Sequence, residues 1–305
     1  MHLTYCTVEE IAKKWGISAR SVRNYCTEGR IADAVLDGKI WRIPREAVKP
    51  VRKPRFDQMP KTIAGVLKME MEAHLKGRLY HQLQIDFTFN SNHIEGSRLT
   101  HEQTRWIFET QTIGSLPDSV PVDDIVETSN HFRCIDKVIS SCGAALTERY
   151  IKDLHALLKN GTSDSRKPWF AVGAYKRLNN VVGEMETCPV ERVRAEMARL
   201  VADYAASQKT IDDIIDFHVR FESIHPFQDG NGRVGRLILL KECLKNGHTP
   251  FIVTDDIKRF YYLGLEEWRQ GRRERLHDVF GTGQDMFRLG LAHFGYGRLA
   301  QNREL

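Results

Sequence analysis

His225-Pro226-Phe227-Gln228-Asp229-Gly230-Asn231-Gly232-Arg233-Val234-Gly235-Arg236 brings an imidazole, a carboxylate, an amide between two glycines and two guanidinium groups into one short stretch. That is the composition of a site that holds a polyphosphate and removes a proton beside it. Upstream, Ile211, Ile214, Ile215, Phe217, Phe221 and Ile224 recur mostly at three- and four-residue steps, which predicts a helix over 211–224. Pro226 disfavours helical backbone at His225, so that helix ends there. A second helix is expected from near Arg233 to Lys245, with Gly247 as its stop. The Gly-Asn-Gly loop then sits at a helix N-terminus, where free N–H groups and the positive dipole end attract anions.

The two arginines sharpen this reading. Cations in a first helical turn oppose the macrodipole at roughly 0.3–1 kcal/mol each, so a sequence that accepts them has an anion there. Arg233 and Arg236 are three apart and are expected to share one side of the helix. Guanidinium groups fork well onto phosphate oxygens. Asp229 would repel phosphate by itself, but with Mg²⁺ it becomes a sensible ligand, since Mg²⁺ is usually held by one or two carboxylates plus substrate phosphates. His225, with an ordinary pKa of about 6.5, can be neutral and take a proton from an attacking hydroxyl. No G-x-x-x-x-G-K-[ST] string occurs, so this is not a Walker loop.

The segment resembles the signature of the Fic family, His-Pro-Phe-x-[Asp/Glu]-Gly-Asn-Gly-Arg-x-x-Arg, with every defined position matched. The resemblance implies a protein adenylyltransferase that moves AMP from its co-substrate ATP to a Ser, Thr or Tyr hydroxyl of a target protein. Carried over by position, His225 would be the base and Asp229 the Mg²⁺ ligand. Gly230, Asn231 and Gly232 would cradle the α- and β-phosphates, and Arg233 and Arg236 would hold the β- and γ-phosphates.

A second stretch, Ile85 to Gly96, is helix-compatible with Gly96 as a stop, and Ser91 and Glu95 share a face. It resembles the inhibitory motif of Fic proteins, [Ser/Thr]-x-x-x-Glu-[Gly/Asn]. That likeness implies that Glu95 pairs with Arg236 and displaces the γ-phosphate. Some family members use this glutamate to help water remove AMP, so a bifunctional enzyme is an alternative. Between Gly173 and Pro189 the helical pattern breaks, and Asn180-Val181-Val182-Gly183 reads as a short strand and turn. By resemblance Val181 and Val182 belong to a hairpin flap that pairs with the target segment. Tyr261 and Tyr262 match a family pair that precedes a helix and lines the nucleotide pocket. Trp268-Arg269 stands where a small residue and Asn would follow.

Residues 1–56 carry 12 Lys and Arg against 6 Asp and Glu, whereas the chain carries 45 against 40; the basic excess therefore lies in its first fifth. Such a concentrated excess is an electrostatic footprint for nucleic acid. Thr7 and Glu10 form a capping-box pair ahead of Val8 to Trp15, Gly16-Ile17 makes a turn, and Ser18 caps Ala19 to Cys26. Asp37-Gly38 between Ala34-Val35-Leu36 and Ile40 to Ile43 predicts a hairpin wing. The module resembles the winged helix-turn-helix of excisionase and MerR-type proteins, including Trp41-Arg42-Ile43-Pro44 before a short helix. Its candidate DNA contacts are Arg20, Ser21, Arg23, Asn24, Lys39 and Arg42.

The fold expected is mainly α: a Fic-type helical bundle with a small β-hairpin flap over 61–305, including an inhibitory helix at about 85–96. A winged helix-turn-helix at 1–49 and a Pro-rich basic linker at 50–60 precede it. The longest apolar runs, such as Leu237 to Leu240, are too short to span a bilayer. With Glu9 and Glu10 near the start and no long apolar run, no secretory signal is expected. Six cysteines without a C-x-x-C pair point to reduced thiols and a cytoplasmic location. A homodimer is implied by the resemblance. The competing reading is a DNA-binding transcription regulator whose Fic-like domain senses nucleotide.

Overall fold

The computed structural model describes residues 4–50, 60–114, 119–182 and 185–300. The chain divides into two compact units, Met1–Met59 and Pro60–Leu305. Of the expected linker, residues 51–59 lie outside the described residues.

In the first unit β1 (Tyr5–Cys6) leads into α1 (Val8–Trp15) and α2 (Ala19–Thr27), followed by β2 (Val35–Asp37) and β3 (Ile40–Pro44). Thr7 caps α1 by a reciprocal pair: its hydroxyl accepts from Glu10 N at 3.3 Å, and Glu10 accepts from Thr7 N at 2.8 Å. Gly16, at φ 62°, ends α1, and Ser18 caps α2. The strands pair antiparallel in the order β1-β3-β2, with Gly38 in the left-handed region at the β2–β3 turn. Val8, Ile11, Val22, Cys26, Ile31 and Ile43 form the core. β1 was not foreseen, because two residues carry no period; the Cys6–Ile43 register creates it. The short helix expected after Pro44 is absent. A single turn closes there, Ala47 N to Pro44 O at 2.9 Å, and Pro50 biases Lys49 away from helix.

The second unit is helical: α3 (Ile63–Glu72), α4 (Leu79–Ile94), α5 (His101–Thr110), α6 (Val122–Ser141) and α7 (Glu148–Leu158) come first. A hairpin of β4 (Val181–Val182) and β5 (Met185–Glu186) interrupts them, with Val181 opposite Glu186. Then come α8 (Val190–Ala206), α9 (Ile211–Ile224), α10 (Asn231–Asn246), α11 (Lys258–Arg269) and α12 (Glu274–His293). α4 is longer than the expected 85–96 helix and stops at Ile94, with Glu95 as its C-cap and Gly96 at φ 96°.

α10 organises the bundle. Every residue from Asn231 to Leu244 is buried, and the helix packs against α3, α4, α6, α7 and α9. A helix buried on all sides must partner its own polar groups. It begins at Asn231 rather than near Arg233, because Gly230 turns the chain in the left-handed region at φ 80°. Arg233 therefore lies in the first turn, but Arg236 lies in the second.

Candidate active site

α9 ends where Pro226 requires it to. His225 is its C-cap, in left-handed backbone at φ 50°, a conformation that only glycine adopts without penalty. Its N–H still closes on Phe221 O at 2.9 Å. The loop that follows is stapled by Asn231. Its side-chain oxygen accepts from Phe227 N at 2.8 Å, and its amide nitrogen donates to Phe227 O at 2.8 Å. Asn231 was expected to cradle phosphate; both ends of its side-chain amide here help to shape the loop, with one N–H donated to Phe227 O and the oxygen accepting from Phe227 N.

The His225 ring is largely enclosed, and its Nδ1 has no protein partner among the described residues. Burial and the nearby Lys176 ammonium push its pKa down to about 4, against the smaller opposing pull of Glu95 and Asp229. The imidazole is thus neutral at neutral pH and can accept a proton.

The two arginines do not share one set of partners. Arg236 points to the end of α4: Nε donates to Ser91 Oγ at 3.0 Å, and NH2 donates to Ser91 O at 2.8 Å and Glu95 Oε1 at 2.6 Å. Arg233 turns to α6 and the loop, pairing with Glu127 and, at 3.1 Å, with Asp229 Oδ2. A three-residue step swings side chains by about 60° around the axis, and each fork has its own carboxylate, Glu127 for Arg233 and Glu95 for Arg236. The Glu95 carboxylate also lies over the start of α10, where a Cβ on Gly232 would collide with its Oε1. The anion expected at this helix N-terminus is supplied by the chain itself.

Asp229 is bound at Oδ2 by Lys159 Nζ (2.6 Å) as well as by Arg233. Burial raises its pKa, but the Arg233 and Lys159 cations prevail and hold it well below the usual carboxylate range. Its side chain is 47% exposed, so one face stays open. The described residues contain no cluster of three or more His, Cys, Asp or Glu suited to a metal. What they offer is the single-carboxylate arrangement in which phosphates and water complete a Mg²⁺ shell, and Asp229 fits that.

Several supporting residues escaped sequence reasoning. His155 stacks on Phe227 with ring centroids 4.0 Å apart, accepts from Gly173 N at Nδ1 (2.9 Å) and donates from Nε2 to Asp229 O (3.2 Å). Burial pushes its pKa down to about 3. Lys176 donates to Pro226 O through its backbone (2.8 Å) and to Asn180 and Thr187 through Nζ (2.7 and 2.6 Å). Asn180 in turn donates to Phe227 O at 3.3 Å. These links fasten the foot of the β4–β5 hairpin to the loop, and Val181 remains 65% exposed. Behind Arg236, Glu222 packs against Gly235, and burial pushes its pKa up to about 7.

Tyr261 and Tyr262 lie within α11, not ahead of a helix, and α11 also carries Trp268 and Arg269. Tyr261 is buried with its hydroxyl 2.7 Å from His218 Nε2, and Tyr262 is 44% exposed. Trp268 donates to Asp216 (3.3 Å) and Arg269 to Ser223 (2.7 Å), which ties this helix to α9.

In the first unit Arg20, Arg23 and Asn24 are exposed on α2, opposite the buried Val22 and Cys26, and Ser21 is half-buried beside Ser18. Lys39 and Arg42 are exposed on the β2–β3 wing. Arg23 pairs with Glu9 and Arg42 with Asp37, at 2.8 and 2.7 Å.

Comparison with known proteins agrees with this fold. Residues 145–243 match the Fic/DOC family model, from just ahead of α7 through most of α10; residues 5–49 match a helix-turn-helix domain model. A protein of Aquifex aeolicus named "Probable protein adenylyltransferase" is 29% identical over 157 residues, 49% of this chain and 49% of that protein. The Protein adenylyltransferase Fic of Nematostella vectensis is 23% identical over 241 residues, 76% of this chain and 52% of that protein. The chain thus spans about half the length of these curated relatives. Among solved structures, a Fic domain containing signaling protein from Bacteroides thetaiotaomicron superposes with a TM-score of 0.59 at 20% identity, covering 79% of this chain and 97% of that one. Fic-1 from C. elegans gives a TM-score of 0.60 at 18% identity, covering 76% and 71%. No helix among the described residues is long and apolar enough to cross a membrane. This chain carries a Fic/DOC domain in its second unit and a helix-turn-helix domain in its first.

Proposed function

We propose that the chain is a protein adenylyltransferase that transfers AMP from ATP to a Ser, Thr or Tyr hydroxyl of a target protein and is restrained by its own Glu95. The observation that carries this reading is a neutral, largely enclosed imidazole, His225, at the start of a loop that delivers Arg233 and Arg236 into the N-terminal turns of a buried helix. The names of the curated relatives support it.

The chemistry asked of the residues is modest. The N–H groups at the start of α10 and the two arginines bind the phosphates. The target hydroxyl loses its proton to His225 as its oxygen forms a bond to the α-phosphorus, and the bond from that phosphorus to the β-phosphate bridging oxygen breaks, releasing pyrophosphate. Asp229 would hold Mg²⁺, which supplies charge neutralisation among the phosphates when bound. The exposed β4 edge would dock the target segment as an added strand and hold its hydroxyl in place. Six free thiols suit a reducing, cytoplasmic setting.

Mass spectrometry of the purified Glu95→Gly chain with ATP and Mg²⁺ tests the reading. An added AMP that disappears in Glu95→Gly/His225→Ala is expected; no adduct, or a phosphate adduct, overturns it.

The first unit would bind DNA through Arg20, Ser21, Arg23, Asn24, Lys39 and Arg42. The exposed pairs that Arg23 and Arg42 make are each worth less than about 1 kcal/mol, so phosphate can exchange into them. Retardation of pooled chromosomal fragments at low salt, abolished by Arg20→Ala/Arg23→Ala, is the expected result. No retardation by the unaltered chain removes this part.

A further inference from the structure

Lys159, Glu127, Asp229 and Arg233 close a ring of alternating charge. Lys159 Nζ donates to Asp229 Oδ2 at 2.6 Å and also to Glu127. Arg233 donates through NH1 to Glu127 and through NH2 to Asp229 Oδ2, at 3.1 Å. Lys159 has a further carboxylate in Asp164, at 3.0 Å. Glu127 comes from α6, Lys159 follows α7, Asp229 is in the loop and Arg233 is on α10. Both cations are almost completely buried.

Two members, Asp229 and Arg233, are groups that the proposed function assigns to the metal and the phosphates. The other two have no such role. Glu127 nonetheless stands to Arg233 as Glu95 stands to Arg236: a carboxylate on the guanidinium that a phosphate would take. Releasing Arg233 to a ligand would strand Glu127 in a poorly solvated place, which is strongly unfavourable for an unpaired charge. Lys159 removes that difficulty, because it already touches Glu127 and keeps Asp164 as well.

We propose that Glu127 is a second internal competitor for nucleotide phosphate, acting on Arg233, and that Lys159 is the positioning residue that takes Glu127 over when Arg233 turns to its ligand. The proposal rests on the nucleotide-binding reading above, and its consequence is a handover within the ring. Arg233 leaves, and Lys159 and Glu127 remain as a pair. No buried charge is left alone before or after. The part of Lys159 in nucleotide binding that runs through Glu127 is then present only while Glu127 carries a charge, and its 2.6 Å contact with Asp229 is separate.

A double-mutant cycle in the full-length Glu95→Gly chain tests this by calorimetric binding of an α,β-methylene ATP analogue, in EDTA and again with Mg²⁺. Lys159→Met should weaken binding by about tenfold. Glu127→Gln should bind as tightly as the parent or several-fold more tightly, and Lys159→Met/Glu127→Gln should match Glu127→Gln. Lys159→Arg, which keeps the cation, should stay within about threefold of the parent. A scaffold that merely orients Arg233 behaves oppositely: Glu127→Gln weakens binding, and the double variant is at least as weak as Lys159→Met. That pattern, or an unchanged affinity in Lys159→Met, overturns the handover. Should Lys159→Met alone not fold, the remaining pair decides: equal affinities of Glu127→Gln and the double variant support the handover, and a tenfold gap between them overturns it. If the Glu95→Gly parent binds no analogue in either condition, the proposed function falls and the handover with it. If the parent binds and the cycle fails, only the handover falls.

Discussion

Glu95 Oε1 lies 2.6 Å from Arg236 NH2 across 141 residues of sequence, and the same carboxylate covers the backbone at Gly232. One side chain therefore stands on both features that would receive phosphate, the guanidinium and the helix N-terminus. Removing one partner of a buried charge pair changes affinity by 2–5 kcal/mol or so. Glu95→Gly is expected to raise self-modification by about tenfold or more. Incorporation of labelled AMP into the purified chain measures it, and a rate equal to that of the unaltered chain removes Glu95 as a restraint.

His225→Ala should keep nucleotide binding and lose transfer by about 10²- to 10⁴-fold, the usual contribution of a positioned base. Equal transfer by the variant would falsify the assignment of the base.

The depressed His225 pKa sets a pH window. The folded ring stays neutral down to about 4, while in the unfolded chain it takes a proton near 6.5. Between those values the unfolded state binds more protons, so this group's effect on stability is fully present above about 6.5 and turns increasingly unfavourable as pH falls towards about 4. Transfer by Glu95→Gly should lack an acid limb near pH 6.5. The imidazole Cε1–H resonance, followed by NMR, should titrate near pH 4, and a midpoint near 6.5 contradicts the site as described.

Glu222 shows the opposite case. Its folded pKa is pushed up to about 7 by burial. The unfolded carboxyl ionises near 4.5, so stability falls as pH rises between those values. Glu222→Gln should gain about 1–3 kcal/mol relative to the unaltered chain at pH 8, and much less at pH 4. Urea unfolding at both pH values reads this directly; equal gains mean that folding does not shift the Glu222 carboxyl.

Asn231→Ala should act on nucleotide affinity at least through the shape of the loop, which its side chain holds at Phe227. The substitution leaves Phe227 N unpaired in the interior, at about 1–3 kcal/mol, while Phe227 O keeps the longer bond from Asn180 at 3.3 Å. Lower unfolding stability together with weaker nucleotide binding is expected. Unchanged stability would mean that the loop closes by other means.

What was readable in the chain follows the reach of each interaction. The loop from His225 to Arg236 is contiguous, so its chemistry shows as composition, and the flanking helices show as periodicity. Ser91 and Glu95 were legible through their spacing and a resemblance. Lys159 and Glu127 were not, because a lysine just past a helix end ordinarily serves the helix dipole in solvent. Their partners lie 32, 70 and 106 residues away. The start of α10 was misplaced because Gly230 looked like turn punctuation, whereas its left-handed backbone lets the helix begin one residue later. The earlier start also places Arg236 in the second turn and not the first.

α10 touches protein on every side, and this divides the molecule's labour. A rod enclosed from Asn231 to Leu244 offers almost no surface to a partner protein, and beyond the first turns that would meet nucleotide its residues answer to internal neighbours. On the proposed function, choice of target would then reside in what lies outside the rod, such as the exposed edge at Val181. Two chains that share the same rod can serve different partners, and a new specificity can arise by altering the rim while the engine stays as it is.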